Sequence, residues 1–287
     1  MKAETETDAG TRTGIEPGPE SRTEPGAEPG VEPGAESRAG ARTGRGRDAV
    51  IGVICMDTSF TKIPGHIRNP ATFGFPVLYR VVEGATAERV VTRADPGLLG
   101  PFVDAARDLQ ARGAAAVTSG CGFLAVFQRE LADAVTVPLY SSSLIQVPMV
   151  ARMIRSDQKV GLLVADERSL TRRHLAGVGA EDVPVCVAGM EEQPEFREVM
   201  LEARRPDLDA ARLGREVLGQ AGRLARENPD MGALVIECTD LVPYAHAVQE
   251  RIGLPVFDIV TLTEMVHQGL TRRSYGAPAP AGRGAAR

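Results

Sequence analysis

Two cysteines occupy equivalent places in a repeated stretch of the sequence. The segments 113–121 and 232–238 each begin with glycine, continue as a mainly apolar run and end in cysteine, at Cys121 and Cys238. A proline follows each cysteine at the same distance and leads a short apolar segment, at Pro138 and Pro255. Such landmarks in the same order indicate an internal duplication. The sequence therefore predicts two similar half-domains, related by pseudo-two-fold symmetry, that carry one cysteine each.

A pair of thiols is suited to moving protons on and off carbon. In a two-base racemase, one group removes a proton from one face of a carbon and the other returns a proton to the opposite face. A free thiol has a pKa of about 8.5, and a place at the start of a helix lowers that value, so we expect both thiol pKa values to fall towards about 7. The pair predicts a cofactor-independent racemase or epimerase of a small carboxylate such as an amino acid.

Polar groups beside the cysteines predict how negative charge on the substrate would be held. Backbone N–H groups at two helix starts are natural donors to a carboxylate, and nearby hydroxyls add further donors. The predicted substrate-binding residues on these grounds are Thr58, Ser59, Ser119, Gly122, Phe123, Thr239 and Asp240. Cys55 and Cys186 lie inside apolar runs instead, and are interpreted as buried packing groups.

The remaining polar residues favour neither a cofactor nor a metal. A pyridoxal phosphate enzyme needs a Schiff-base lysine, whereas the lysines lie in the N-terminal segment, a loop and a strand start, at Lys2, Lys62 and Lys159. No glycine-rich phosphate-binding motif is present. The four histidines lack metal-ligand spacing and are interpreted as surface residues. His66 and Arg68, in a polar loop that could act as a lid, are secondary candidates for substrate binding.

The elements that must position these residues follow an α/β pattern. Short β-branched runs alternate with segments of helical period, which is typical of parallel sheets. Ligands of such sheets bind beyond the carboxyl ends of the strands, where both cysteines would face one cleft. Strands are predicted at 49–56, 77–82, 114–118, 138–140, 160–164, 183–188, 233–237 and 255–257. Helices are predicted at 98–112, 124–134, 209–228 and 241–252.

Composition divides the chain into four parts. Residues 1–48 repeat Glu-Pro-Gly and are predicted to be a disordered tail, as is the Pro/Gly/Ala-rich segment 273–287. Between them, 49–156 is predicted to be a first α/β domain with Cys121, and 157–272 a second with Cys238.

Charge and hydropathy limit the partners. A net charge of −5 and a pI near 5.6 disfavour nucleic acid and anionic membranes, since both would repel the protein. No apolar run reaches the roughly 18 residues of a membrane helix, and no signal-peptide pattern is present. We therefore expect a cytoplasmic protein that binds a small-molecule carboxylate. The sequence does not set the number of copies, and a homo-oligomer is compatible with it.

The cysteine pair, the Asp57-Thr58 loop after the first strand and the run Cys238-Thr239-Asp240 together resemble the aspartate/glutamate racemase family, over residues 49–272. That family also includes hydantoin racemases, arylmalonate decarboxylases and maleate isomerases. The resemblance implies two flavodoxin-like domains around the substrate, with Cys121 and Cys238 as catalytic bases. It also implies substrate binding by Asp57, Thr58 and Thr239.

One motif departs from the amino-acid racemases. They usually have Cys-Asn-Thr where this chain has Cys121-Gly122-Phe123, so the resemblance does not assign the substrate. Four alternatives to an amino-acid racemase stay open: a hydantoin racemase, a decarboxylase, a cis–trans isomerase and a non-catalytic carboxylate-binding protein.

Overall fold

A computed structural model describes residues 49–272 and contains two four-stranded, all-parallel sheets. The strands of the first are β1 (Ile51–Cys55), β2 (Val77–Val81), β3 (Ala116–Ser119) and β4 (Leu139–Tyr140). Those of the second are β5 (Lys159–Val164), β6 (Val185–Gly189), β7 (Met231–Ile236) and β8 (Val256–Phe257). Both sheets have the same strand order, β2-β1-β3-β4 and β6-β5-β7-β8. The predicted duplication is therefore present in the architecture.

The central strands form where the sequence is most apolar. All residues of β1, β3 and β7 are buried, as expected for strands covered on both faces. All eight strands predicted from the sequence are found, with ends shifted by a few residues. The predicted α/β class with two similar parallel-sheet halves is confirmed.

Helices connect the strands. The α-helices are α1 (Leu99–Ala111), α2 (Gln128–Asp133), α3 (Val147–Ala151), α4 (Arg172–Gly177), α5 (Pro194–Phe196), α6 (Ala210–Glu227), α7 (Ala245–Ile252) and α8 (Ile259–Leu270). Short 3₁₀-helices span Pro96–Leu98, Gly122–Phe127, Ser143–Gln146 and Thr239–Tyr244. Two π-helical turns, Glu88–Thr92 and Arg197–Leu201, occupy matching places after β2 and β6. The helices predicted at 124–134 and 241–252 thus begin as 3₁₀ turns and become α-helical in α2 and α7.

The two halves exchange their last helical segments. The segment after β4 packs on the second sheet, where Leu144 and Val150 join a buried cluster with Leu162 of β5. The α8 helix packs back on the first half, and its His267 ring stacks on Phe75 with centroids 3.8 Å apart. The exchange gives the two sheets a shared core.

The predicted boundary between residues 156 and 157 falls in the loop between α3 and β5. The two predicted disordered tails, 1–48 and 273–287, lie outside the described residues. Among residues 49–272, no helix combines the length and the apolar character needed to cross a membrane.

Candidate functional site

Cys121 and Cys238 line one cavity between the two halves. Cys121 follows β3 and is the residue before the 3₁₀-helix Gly122–Phe127, while Cys238 stands at the same place before Thr239–Tyr244. Both are buried, with 8% and 6% of their surface exposed. The repeat in the sequence therefore brings its two thiols together, one from each half.

Apolar side chains from both halves surround the thiols. The first half supplies Met56, Phe60 and Val91, and the second supplies Ala165, Phe196 and Met200. Val91 and Met200 belong to the two π-helical turns, so equivalent elements of the repeat cover the cavity from each side. This lining excludes water from much of the site and strengthens its electrostatic interactions.

Two cations enter the cavity from the loop after β1. Lys62 lies over the Phe60 ring and donates to the Phe60 carbonyl oxygen at 3.0 Å. Burial lowers the pKa of Lys62 to about 8, against the opposing charge of Asp240. The Arg68 guanidinium donates to the Met56 carbonyl oxygen at 3.0 Å and to Thr58 Oγ1 at 2.8 Å. The pair makes this wall of the cavity suitable for a carboxylate.

A chain of polar groups runs from Cys238 to the same loop. The Cys238 thiol donates to Asp240 Oδ2 over 3.8 Å, and Asp240 Oδ1 lies 2.8 Å from His66 Nε2. His66 Nδ1 accepts the Arg68 backbone N–H at 2.9 Å, so Nε2 is the nitrogen that donates to Asp240. Burial opposes ionisation of Asp240, but the His66 hydrogen bond and the charges of Lys62 and Arg68 hold its pKa below the usual value.

Both thiols have raised pKa values. For Cys121 burial is the main cause, followed by the charge of Glu237, and the backbone N–H groups of Phe123 and Leu124 act in the opposite direction. For Cys238 burial is again first, followed by Asp240 and Glu237. The prediction that helix starts lower both pKa values is therefore wrong. The 3₁₀ turns are six residues long, and their effect is outweighed by burial next to carboxyl groups.

Four predicted binding residues line the cavity with the cysteines: Thr58, Gly122, Thr239 and Asp240. Thr239 also joins the halves, because its hydroxyl donates to the Gly120 carbonyl oxygen at 2.8 Å.

The other four lie outside the cavity lining. Asp57 is exposed and accepts the Gly84 N–H at 3.0 Å, and Ser59 is also exposed. Ser119 donates to the carbonyl oxygens of Cys121 and Ser141, and Phe123 packs edge-on against His174. Their role in substrate binding stays a prediction.

The interpretation of the histidines as surface residues is correct for His246 and wrong for two others. His66 and His174 are 2% and 1% exposed. Each ring is enclosed by a neighbouring element rather than by its own segment, Asp240 for His66 and Phe123 for His174. Cys55 and Cys186 are buried on β1 and β6, as predicted.

Sequence analysis assigned no role to two residues of the cavity, Lys62 and Glu237. Lys62 gave no local signal, because its place in the site depends on how a loop folds over the other half. Glu237 did give one: it is an acidic residue between the apolar run of β7 and Cys238, where a charge is costly to bury.

Sequence relatives decide the family. A dimethylsulfoniopropionate lyase of Durusdinium sp. clade D is 30% identical over 230 residues, which cover 78% of this chain and 75% of that protein. The chain belongs to the dimethylsulfoniopropionate lyase family. Dimethylsulfoniopropionate lyases 7 and 3 of Emiliania huxleyi are 34% and 31% identical over 74% of this chain. The chain spans 64% and 57% of those two longer proteins. No protein-family model matches the chain.

Solved structures place this lyase-family chain in a wider fold group. A mutant of arylmalonate decarboxylase in its sulfate-associated form matches with a TM-score of 0.53 and 20% identity, over 81% of this chain and 97% of that one. The aspartate racemase of Picrophilus torridus matches with a TM-score of 0.50 and 11% identity, over 79% and 96%. The fold is that of the aspartate/glutamate racemase superfamily, as the sequence resemblance implied.

Proposed function

We propose that this protein is a lyase that removes the α-proton of dimethylsulfoniopropionate, or of a close β-sulfonium carboxylate, and releases dimethyl sulfide and acrylate. The observation that carries the proposal is one cavity holding two thiols, two cations and a carboxylate. The names of the sequence relatives supply the substrate class.

The reaction needs one strong base and no added reactant. The base takes a proton from the carbon next to the carboxylate, and the electrons of that C–H bond form the C=C bond of acrylate. The C–S bond breaks, and its electrons leave on sulfur as neutral dimethyl sulfide. A zwitterion and an anionic base thus become an acrylate anion, a neutral sulfide and a protonated base.

We assign the base to Cys121. Two backbone N–H groups, of Phe123 and Leu124, favour its thiolate, whereas Cys238 faces the anionic Asp240. Its raised pKa makes Cys121 a strong base once it is ionised. The substrate helps to ionise it, because a sulfonium brought within about 4–6 Å of a thiol favours the thiolate. Cys238, hydrogen-bonded to Asp240, stays a thiol in this mechanism.

The charges of the cavity complement a zwitterion. Lys62 and Arg68 would hold the substrate carboxylate, and Asp240 would attract the sulfonium. The apolar side chains of Phe196 and Met200 would contact the two S-methyl groups. Because two cations face one ionised carboxylate, the substrate carboxylate completes the charge balance of the site.

Racemisation of a small carboxylate, the function predicted from the sequence, is the second candidate. The observation that favours it is that equivalent cysteines from the two halves share the cavity. Racemisation and elimination begin with the same step, removal of an α-proton. They differ in its outcome, since a racemase returns a proton to carbon and a lyase expels a leaving group.

The test is incubation of the purified protein with dimethylsulfoniopropionate in D2O. Dimethyl sulfide is measured by gas chromatography of the headspace, and acrylate and α-deuterated substrate by proton NMR. We expect equal amounts of sulfide and acrylate from the wild type. We expect a loss of at least about 10²-fold in rate for Cys121→Ser, as for a missing general base.

Cys186→Ser is the matched control, because Cys186 is a buried cysteine on β6 outside the cavity lining. It is expected to keep the wild-type rate. Absence of dimethyl sulfide from active-site-intact, folded protein would overturn the lyase proposal. Deuteration of amino acids that depends on both Cys121 and Cys238 would establish the racemase instead.

A further inference from the structure

Glu237 is a buried carboxyl group at the wall of the cavity. It lies between β7 and Cys238, and 1% of its surface is exposed. Its backbone N–H donates to the Leu163 carbonyl oxygen at 2.9 Å, and its Oε2 accepts the Ala165 N–H at 3.1 Å. These two bonds fix the carboxyl at the end of β5, where it lines the cavity together with both cysteines.

The second oxygen of this carboxyl has no partner within the described residues. Oε1 of Glu237 is shielded from solvent and makes no hydrogen bond there. The cations of the cavity are engaged elsewhere: Arg68 donates to Met56 and Thr58, and Lys62 to Phe60. An ionised Glu237 would therefore be a buried charge without a counter-ion, which is strongly unfavourable.

The consequence is a carboxyl group that holds its proton. Burial raises the pKa of Glu237 to about 8, helped by the charge of Asp240 and opposed by the Ala165 N–H. Oε1 then carries a hydrogen with no acceptor in this part of the protein. A donor of that kind at a cavity wall is free to serve a ligand.

Gly122 holds this acid beside Cys121. A side chain at residue 122 would overlap Glu237 Oε1 and come within 2.5 Å of the Glu237 carbonyl oxygen. The absence of a side chain there lets the end of β7 approach the residue after Cys121 directly. The acid from one half and the thiol from the other thus face the same reacting centre.

We infer that Glu237 is a further catalytic residue, a neutral carboxylic acid that donates a hydrogen bond to the substrate carboxylate while Cys121 removes the α-proton. The inference rests on the proposed function, in which negative charge builds up on that carboxylate. Donors placed where charge develops in the transition state are the largest source of catalysis in many enzymes. As acrylate forms, the excess charge leaves with the C–S electrons, and the proton remains on Glu237.

Two variants separate the acid from its structural contacts. Glu237→Gln keeps an acceptor for Ala165 and the shape of the side chain, but offers a much weaker donor. Glu237→Met removes the donor altogether. We expect kcat to fall by about 10²–10³-fold for the Met variant, with a smaller fall for Gln and little change in KM for either. Wild-type kcat in both variants would overturn the inference.

Infrared spectroscopy tests the same inference without turnover. The wild type at pH 7 should show a protonated-carboxyl carbonyl band that is missing in Glu237→Gln and changes frequency on addition of propionate. The control is Glu195→Gln, because Glu195 is a fully buried glutamate paired with Arg205 and Arg212, and its loss should leave the band in place. A wild type without the band, or a band indifferent to propionate, overturns the inference even if dimethyl sulfide is released. A wild type that shows the band and its response to propionate but releases no sulfide overturns the proposed function alone.

Discussion

Gly122 shows how one missing side chain shapes the site. The position directly follows Cys121, and the space that a Cβ atom would need is filled by Glu237 of the other half. A polar side chain at 122, such as the asparagine of the amino-acid racemases, would displace that carboxyl. In this chain the polar group beside Cys121 is therefore supplied by the second half rather than by the residue next to it.

Replacement of Gly122 by alanine should cost both stability and activity. The added methyl group must push the Glu237 backbone away, and overpacking of this kind costs about 1–3 kcal/mol in unfolding free energy. Urea denaturation followed by circular dichroism measures the loss, and the sulfide assay measures the rate. Gly100→Ala is the control, since a Cβ at this exposed position of α1 meets no atom within 4 Å. Equal stabilities for the two variants would show that the contact with Glu237 is not tight.

The residues of the site differ in how far the sequence could predict them. Cys121 and Cys238 were found because the duplication places both at strand ends, which is a local pattern. Lys62 and His66 become functional candidates only through burial by the opposite half, and no spacing in their own loop encodes that burial. The pKa directions of the thiols were predicted wrongly for the same reason, since they depend on Glu237 and Asp240 as buried neighbours.

At the scale of elements, strands were easier to predict than helices. The strands are short β-branched runs such as 51–55 and 231–236, whose burial on both faces leaves a continuous apolar signal. The unpredicted segment 143–151 combines a 3₁₀ turn with a short α-helix containing proline, so it lacks a helical period. The α8 helix has apolar residues that face the first half, and that partner is distant in the sequence.

The exchange of helical segments makes a specific prediction about cooperativity. Leu144 belongs to the first half in sequence but is fully buried in the cluster with β5. Leu144→Ala should destabilise the protein by about 2–5 kcal/mol, the usual cost of such a cavity. Hydrogen exchange should then accelerate in β5 and β7 of the second sheet as much as in the first sheet.

Met149→Ala is the matched control for this experiment. Met149 lies in α3, one of the exchanged elements, but 40% of its surface is exposed, so its truncation should change stability little. A loss of protection confined to the first sheet in Leu144→Ala would contradict the exchanged core.

At the scale of the whole molecule, the cavity works as a joint between two similar bodies. The first half supplies the cations and Cys121, and the second supplies Asp240, Glu237 and Cys238. A small carboxylate that contacts both halves must therefore stabilise the fold as well as occupy the site. The chain as a whole carries a charge of −5, so the cations of the cavity are a local feature rather than a reflection of the surface.

Propionate, an unreactive analogue without a leaving group, should raise the thermal unfolding midpoint in a pH-dependent way. A ligand at 100 times its Kd adds about 2.7 kcal/mol to the free energy of unfolding. Burial lowers the pKa of Lys62 to about 8, and burial raises that of Glu237 to about 8. The cation and the acid are thus both present below pH 8, and both are lost as the pH rises through it. We expect the stabilisation by propionate to be full near pH 6.5 and to decline above pH 8.

Two substitutions identify the groups responsible for that decline. Lys62→Arg keeps a cation that does not titrate in this range, and should retain part of the stabilisation above pH 8. The fall that persists in this variant measures Glu237, because the other charges facing Lys62, Asp240 and Arg68, stay ionised. The double variant Lys62→Arg/Glu237→Gln should respond to propionate equally at pH 6.5 and pH 9. A double variant that still loses its response above pH 8 would exclude both residues as the carboxylate-binding pair and would move the binding site away from the loop after β1.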